Sequence, residues 1–156
     1  MKTAVVYASK YGTTSQIAHL IADGIGATTF DLADGAPDLA GFDCAVLGSP
    51  IYAGRPMKAM AELVARGIDV PQVGLFICGM RDDPAERAQE VEAAYPAGLR
   101  QRAVATAFLG GRFQFAKMSR IERFIVKRIA KTSVDVDGID QAAIEQFLTA
   151  LRGDAA

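Results

Sequence analysis

The stretch TAVVYASKYGTTS, residues 3–15, joins an apolar run rich in β-branched side chains to a loop crowded with hydroxyl groups. The chain then continues with apolar residues at Ile17, Leu20, Ile21 and Ile25, a helical spacing, and Gly26 is suited to end that helix. A strand, a short loop and a helix therefore follow one another, which is the first unit of an α/β fold.

The same alternation continues along the chain. It predicts five strands, over residues 2–8, 27–33, 43–49, 72–79 and 103–111. It predicts helices over residues 14–26, 56–67, 83–96, 118–131 and 139–151. Pro56 is expected as a first helical residue and Asp83 as an N-cap. Short apolar strands alternating with helices indicate a doubly wound, five-stranded parallel sheet in a three-layer α/β/α sandwich.

Composition limits the class of protein. The 156 residues are 51% hydrophobic and 22% charged, which is typical of one compact domain, here residues 1–156. A net charge of -1 predicts no bulk attraction to nucleic acid. Cys44 and Cys78 stand in separate apolar runs, as expected of reduced thiols in a cytoplasmic protein. Neither a signal peptide nor a membrane-spanning apolar run is apparent.

In a doubly wound sheet, ligands bind beyond the carboxyl ends of the strands, where the strand order reverses. Three loops are therefore candidates: the first loop, residues 9–15, the second loop, residues 49–55, and the third loop, residues 78–83. The first loop leads into a helix whose free amides and dipole attract an anion. Its hydroxyls can bind phosphate oxygens, and its glycine allows close approach of the backbone. The alternative is that Thr13 or Thr14 merely caps the helix.

The second and third loops are suited to a flat ligand. Tyr52 stands between Pro50 and Gly54, where its ring can lie over an aromatic system, although a surface tyrosine packed on a neighbouring loop is the alternative. Backbone amides from Gly79 to Asp82 can pair with the polar edge of a heterocycle. With His19 as the single histidine there is no Ser-His-Asp triad, and we predict neither a catalytic side chain nor a metal site.

Together these loops resemble the phosphate loop and the two ring-binding loops of the flavodoxin family, which binds flavin mononucleotide (FMN). The family's first loop reads Ser/Thr-x-Thr-Gly-x-Thr, and here it reads SKYGTT, with Tyr11 where a threonine is usual. The resemblance implies a flavodoxin-like sheet with strand order 2-1-3-4-5 and FMN as the cofactor. It implies the following cofactor-binding residues: Ser9, Lys10, Tyr11, Gly12, Thr13, Thr14, Pro50, Ile51, Tyr52, Ala53, Gly54, Cys78, Gly79, Met80, Arg81 and Asp82.

The last third of the chain is similar to one branch of that family, which includes menaquinone-dependent protoporphyrinogen dehydrogenase. The segment FLGGRFQFAKMSRIERFIVKRIAK carries this resemblance, although it lacks Trp and Tyr. Residues 112–131 hold seven Lys or Arg and one acid, a net charge of +6 against -7 for the rest of the chain. This basic segment could attract an acidic redox partner, anionic lipid head groups at the inner membrane face, or a substrate's propionates.

Two functions follow as expectations. The first is an FMN-dependent oxidoreductase that acts with a quinone and a porphyrinogen-type substrate. The alternative is a one-electron carrier of the flavodoxin type that docks to protein redox partners. A third reading is a flavodoxin-like domain that has lost FMN and serves as an interaction module.

Overall fold

The computed structural model describes residues 2–10, 12–52, 55–79, 84–109, 112–113, 136–137 and 141–153. Its centre is a sheet of five parallel strands: β1 (Thr3–Tyr7), β2 (Thr28–Asp31), β3 (Cys44–Tyr52), β5 (Gln72–Cys78) and β6 (Ala103–Phe108). They lie in the order β2-β1-β3-β5-β6, and the short antiparallel strand β4 (Arg55–Pro56) extends β3 at its end. Counting the parallel strands alone, this is the predicted order 2-1-3-4-5.

One face of the sheet is covered by α1 (Thr13–Ile25) and α5 (Gln141–Arg152). Ile17 and Ile21 of α1 are fully buried on this side, as their spacing predicted, whereas Leu20 of the same predicted set is exposed. Phe147 of α5 packs edge-on against Phe76 of β5, with ring centroids 6.0 Å apart. Phe76 lies directly over Gly48 of β3, where a Cβ atom would stand only 1.9 Å from the ring.

The other face is covered by α2 (Lys58–Ala65), α3 (Pro84–Ala94) and α4 (Ala97–Arg102). Met60 and Leu63 of α2 and Leu99 of α4 are buried against the sheet. The central strands are apolar on both faces because helices cover both sides, which is why they read as continuous hydrophobic runs. The three-layer α/β/α sandwich expected from the sequence is confirmed.

Several boundaries differ from the sequence expectation. Pro56 was expected to begin a helix, and this is wrong: it pairs with Ile51 in the β3–β4 hairpin, and α2 starts after the N-cap Met57. The strand β3 is longer than expected because it continues through Tyr52 into that hairpin. The helix α4 was not predicted, since its six residues carry a single buried apolar side chain, Leu99.

The remaining parts of the chain contain a second, two-stranded sheet. β7 (Arg112–Phe113) pairs antiparallel with β8 (Val136–Asp137), with Phe113 opposite Val136. The predicted helix over 118–131 and the predicted N-cap Asp83 lie outside the described residues.

Candidate functional site

The three candidate loops leave the same edge of the sheet. At the end of β1, the amide of Ala8 donates to the carbonyl oxygen of Gly48 at 3.0 Å. At the end of β3, Pro50 stands beside Cys78 in the register of β3 and β5. The first loop therefore begins next to the second loop, and the second loop next to the third. This is the edge at which the strand order in the sheet changes direction.

The first loop is organised around Gly12. This residue has φ +94° and ψ −10°, a left-handed conformation that favours glycine, and nothing lies within 4 Å of where its Cβ would be. Its amide donates to Ser9 Oγ at 3.1 Å, and its carbonyl accepts the first hydrogen bond of α1, from Gln16 N at 2.9 Å. The loop thus turns tightly onto the helix and leaves open space beside the turn.

The start of α1 has no side-chain cap. Gly12 is the N-cap residue, and Thr13 and Thr14 are already the first two residues of the helix, so the interpretation that either threonine is its N-cap is wrong. The amides of a first helical turn point beyond the helix end, where the dipole is positive. Of the neighbouring side chains, Lys10 is exposed, whereas Ser9 and Thr13 are half-buried. This end of α1 can accept an anion such as a phosphate group.

Thr14 connects the first loop to the third. Its side chain is buried, at 2% exposure, and its hydroxyl is hydrogen-bonded to the thiol of Cys78 at the end of β5. Burial raises the pKa of Cys78 to about 12, and the hydrogen bond from Thr14 opposes that rise in part. Cys78 is therefore a protonated, buried thiol at neutral pH, as its apolar strand suggested, and not a reactive one.

The second loop is supported from beneath by Ser49, which is fully buried. Its hydroxyl donates to the carbonyl oxygen of Pro50 at 2.9 Å and accepts the amide of Met57 at 3.0 Å. The hydroxyl therefore joins β3 to Met57, the residue that follows β4, and so closes the hairpin in which Tyr52 pairs with Arg55. Pro50 and Ile51 are buried in β3. Ala53, Gly54 and the side chain of Tyr52 lie outside what the structure describes.

In the third loop, Gly79 is the first residue after β5, and it lies close to two side chains. A Cβ on Gly79 would be 3.2 Å from Phe108 Cζ and 3.4 Å from Glu90 Oε2. The guanidinium of Arg87 lies over the same Phe108 ring, 4.6 Å from its centroid. Of the other predicted binding residues in and near these loops, Tyr11, Met80, Arg81 and Asp82 fall outside the described residues.

Beneath the second and third loops lies Tyr95, which is buried at 1% exposure between α3 and α4. Its hydroxyl is 3.1 Å from the carbonyl oxygen of Leu47 and 2.9 Å from that of Phe76, so one proton is shared between β3 and β5. Burial, and secondarily the proximity of Cys78, raises the pKa of Tyr95 well above its usual range. The phenol therefore stays protonated as a link between the two strands.

Other candidate chemistry is limited. His19 is exposed on α1, with Nδ1 2.7 Å from the carbonyl oxygen of Ser15 and its ring edge-on to Tyr7, as expected of a histidine without a catalytic partner. Within the described residues, no group of three or more His, Cys, Asp or Glu side chains is arranged to hold a metal ion. Nor does that part of the chain contain a helix long and apolar enough to cross a membrane.

Sequence reasoning did not identify Ser49 or Tyr95 as supports of this edge. Ser49 had one usable signal, since a serine inside an otherwise apolar buried strand must satisfy its hydroxyl. Tyr95 had none, because its contacts join residues far apart in the chain.

The three-layer sandwich and its strand order define a flavodoxin-like α/β protein. Comparison with known proteins agrees with this class. A sequence profile of the Flavodoxin domain family matches residues 4–137. The chain belongs to that family. No curated protein sequence matches it significantly.

Solved structures are similar in fold, at low sequence identity. A short-chain flavodoxin associated with a bacterial microcompartment aligns over 100% of both chains, with 15% identity and a TM-score of 0.58. A Lactobacillus acidophilus flavoprotein in complex with FMN aligns with 69% of this chain and 92% of its own, at 14% identity and a TM-score of 0.51. A Fusobacterium nucleatum flavodoxin bound to FMN aligns with 69% of this chain and 70% of its own, at 19% identity and a TM-score of 0.50.

Proposed function

We propose that this protein binds FMN at the edge formed by its three loops and serves in electron transfer. The uncapped first turn of α1, with Gly12 at φ +94° and open space beside it, is the observation that carries the proposal. A phosphate monoester can accept hydrogen bonds from those amides, and the helix dipole favours its charge. Family membership and the FMN complexes of similar fold support the same cofactor.

Side chains of the first loop would complete the phosphate site. Ser9 uses its oxygen to accept the Gly12 amide, so its hydroxyl proton can be directed to a phosphate oxygen. Thr13 and Thr14 are assigned to the phosphate as further hydroxyl donors, Thr14 by turning its proton from Cys78 to a phosphate oxygen, and Lys10 is assigned as a nearby positive charge. The Ser9–Gly12 contact holds the loop before the ligand arrives, which lowers the ordering cost of binding.

The isoalloxazine ring is assigned to the second and third loops. The residues proposed to surround it are Pro50, Ile51, Tyr52, Ala53, Gly54, Cys78, Gly79, Met80, Arg81 and Asp82. Ser49 holds the hairpin of the second loop in shape through its two hydrogen bonds. FMN would supply the electron-transfer chemistry, while these residues bind and orient it.

Adding FMN and riboflavin separately to the purified protein tests this proposal, because riboflavin lacks only the phosphate. We expect FMN fluorescence to be quenched with saturation, and riboflavin to bind at least about 100-fold more weakly, since the phosphate makes several charge-assisted hydrogen bonds. A protein that leaves both spectra unchanged would be the interaction module without a flavin. Equal affinities would contradict the assignment of the first loop to the phosphate.

The finer proposal is an oxidoreductase that passes electrons from a porphyrinogen-type substrate to a quinone. The basic segment, residues 112–131, supports it because propionate groups are anionic. Anaerobic reduction of the bound FMN by a porphyrinogen, followed by reoxidation by a water-soluble naphthoquinone, is the expected result. Absence of either half-reaction would contradict it.

The second candidate is an electron carrier that docks to protein redox partners. With one histidine the sequence has no Ser-His-Asp triad, and a carrier needs no acid–base chemistry of its own. A carrier is expected to take up electrons in two well-separated one-electron steps during a redox titration. A single two-electron step would count against it.

We also propose that the basic segment makes peripheral contact with anionic membranes. Cosedimentation with vesicles containing anionic lipid, but not with vesicles of neutral lipid, is expected, and high salt should abolish it. The double variant Lys127→Glu and Arg128→Glu should lose binding. Arg66→Glu, a charge reversal at the exposed C-cap residue of α2, serves as the control and should retain it.

A further inference from the structure

The buried hydroxyl of Ser49 stands at a step of the second-loop hairpin that backbone groups alone cannot close. The pairing of β3 with β4 ends at Ile51 and Pro56. One step further along the two strands, Pro50 would stand opposite Met57. Proline has no backbone N–H, so this step cannot form a reciprocal pair of backbone hydrogen bonds. The Ser49 hydroxyl is inserted there instead, since it accepts the Met57 amide at 3.0 Å and donates to the Pro50 carbonyl oxygen at 2.9 Å.

This bridge lies where β3 leaves the central sheet. In the described part of the chain, the register of β3 with β5 ends at Pro50, which stands beside Cys78. Beyond that point β3 continues into the hairpin, where its partner is β4. Ser49 is fully buried, so solvent does not readily replace its hydroxyl. One side chain therefore closes the base of the hairpin that carries the second loop.

We propose that Ser49 is a positioning residue for the isoalloxazine ring, and that its bridge sets the affinity for the ring portion of the flavin without changing the contribution of the phosphate. This inference rests on the proposed FMN site. A loop that is already held in its binding conformation loses less entropy when the ligand arrives. The bridge holds the second loop, to which the ring is assigned, whereas the phosphate is assigned to the first loop.

Ser49→Ala tests the inference, since it removes the hydroxyl and little else. Dissociation constants for FMN and for riboflavin are measured by fluorescence quenching. We expect both to rise about tenfold, because the amide and the carbonyl lose their shared partner and the hairpin loosens, and we expect their ratio to stay within about twofold. The visible circular dichroism of bound FMN, which reports the surroundings of the ring, should also change.

Leu99→Ala is the matched control for a loss of stability. Leu99 is buried in α4, before the start of β6 and so at the opposite end of the sheet from the loops. Its truncation should lower the free energy of unfolding but leave both dissociation constants and the visible circular dichroism unchanged. Thr14→Ala, in the first loop, should by contrast weaken FMN and not riboflavin.

Unchanged dissociation constants in Ser49→Ala would overturn the inference, as would weaker binding of FMN without weaker binding of riboflavin. An equal weakening in Leu99→Ala would overturn it as well, because loss of stability alone would then explain the result. Failure of the unmodified protein to bind FMN would overturn the proposed function. Failure of this inference alone would leave FMN bound to the unmodified protein, so the two failures are distinguishable.

Discussion

The first loop and the two ring-side loops, which leave the same edge of the sheet, are built in different ways. The first loop depends on the main chain, through the left-handed Gly12 and the open end of α1. The second and third loops rest on buried side chains, chiefly Ser49 and Tyr95. Substitutions in the first loop should therefore affect the ligand more than the fold, and substitutions beneath the other two should affect both.

The largest effect on stability is expected from a comparison of two glycines, Gly48 in β3 and Gly12 in the first loop. Gly48→Ala forces a methyl group against the buried Phe76 ring, and we expect the free energy of unfolding to fall by about 3 kcal/mol. Gly12→Ala meets no neighbour and strains only the backbone, which should cost about 1 kcal/mol. Urea denaturation measures both values.

FMN titration of the same two variants completes this comparison. Gly12→Ala should weaken FMN more than its small loss of stability suggests, because it changes the turn that presents the phosphate site. A Gly12→Ala protein that lost as much stability as Gly48→Ala would remove the distinction between the two regions.

A smaller loss of stability is expected when the buried phenol is removed. Tyr95→Phe eliminates the proton shared by the carbonyl oxygens of Leu47 and Phe76, and we expect a loss of about 2 kcal/mol in the free energy of unfolding. Tyr7→Phe is the matched control, since the hydroxyl of Tyr7 only accepts a 3.3 Å contact from Ser15. Equal losses would show that the link between β3 and β5 does not stabilise the edge.

The same contrast explains how far the sequence could be interpreted. The strands, the sheet order and the first loop follow local patterns: apolar runs, helical spacing, and hydroxyls around one glycine. The prediction that Pro56 begins a helix was wrong because the pairing of Pro56 with Ile51 outweighs the local helix-start signature. Tyr95 gave no signal, because its partners lie 48 and 19 residues earlier in the chain and only the folded sheet brings them together.

Thr14→Ala tests the phosphate assignment directly. We expect FMN affinity to fall about tenfold, because a hydrogen bond to a charged group is lost. Riboflavin affinity should change little, and Thr14→Ser should restore FMN binding by keeping the hydroxyl. Thr28→Ala, at an exposed position of β2, is the control for a general effect of removing a threonine. Unchanged FMN binding in Thr14→Ala would mean that the buried hydroxyl serves Cys78 alone.

The smallest effect concerns the thiol at which the first and third loops meet. Burial raises the pKa of Cys78 from its usual 9.0 to about 12, so the folded protein keeps a proton that the unfolded chain loses above pH 9. This contribution to stability is complete below pH 9 and declines as pH rises towards 12, by about 1 kcal/mol between pH 9 and pH 10. Tyr95 contributes little to the change in stability between pH 9 and pH 10, since an unfolded tyrosine ionises mainly above pH 10.

Urea denaturation at pH 9 and pH 10 measures the decline in the unmodified protein and in Cys78→Ala. The variant should be less stable at both values but should lose about 1 kcal/mol less over the interval, since it has no thiol to ionise at this position. Cys44→Ala is the control, because Cys44 is also buried but stands at the opposite end of β3, beside Asp43. Cys44→Ala should reduce the pH dependence of the free energy of unfolding less than Cys78→Ala does. If stability fell equally with pH in Cys78→Ala and in the unmodified protein, water would have access to the thiol between the first and third loops. The third loop would then not rest on a buried side chain at this position, and the contrast with the first loop would not hold there.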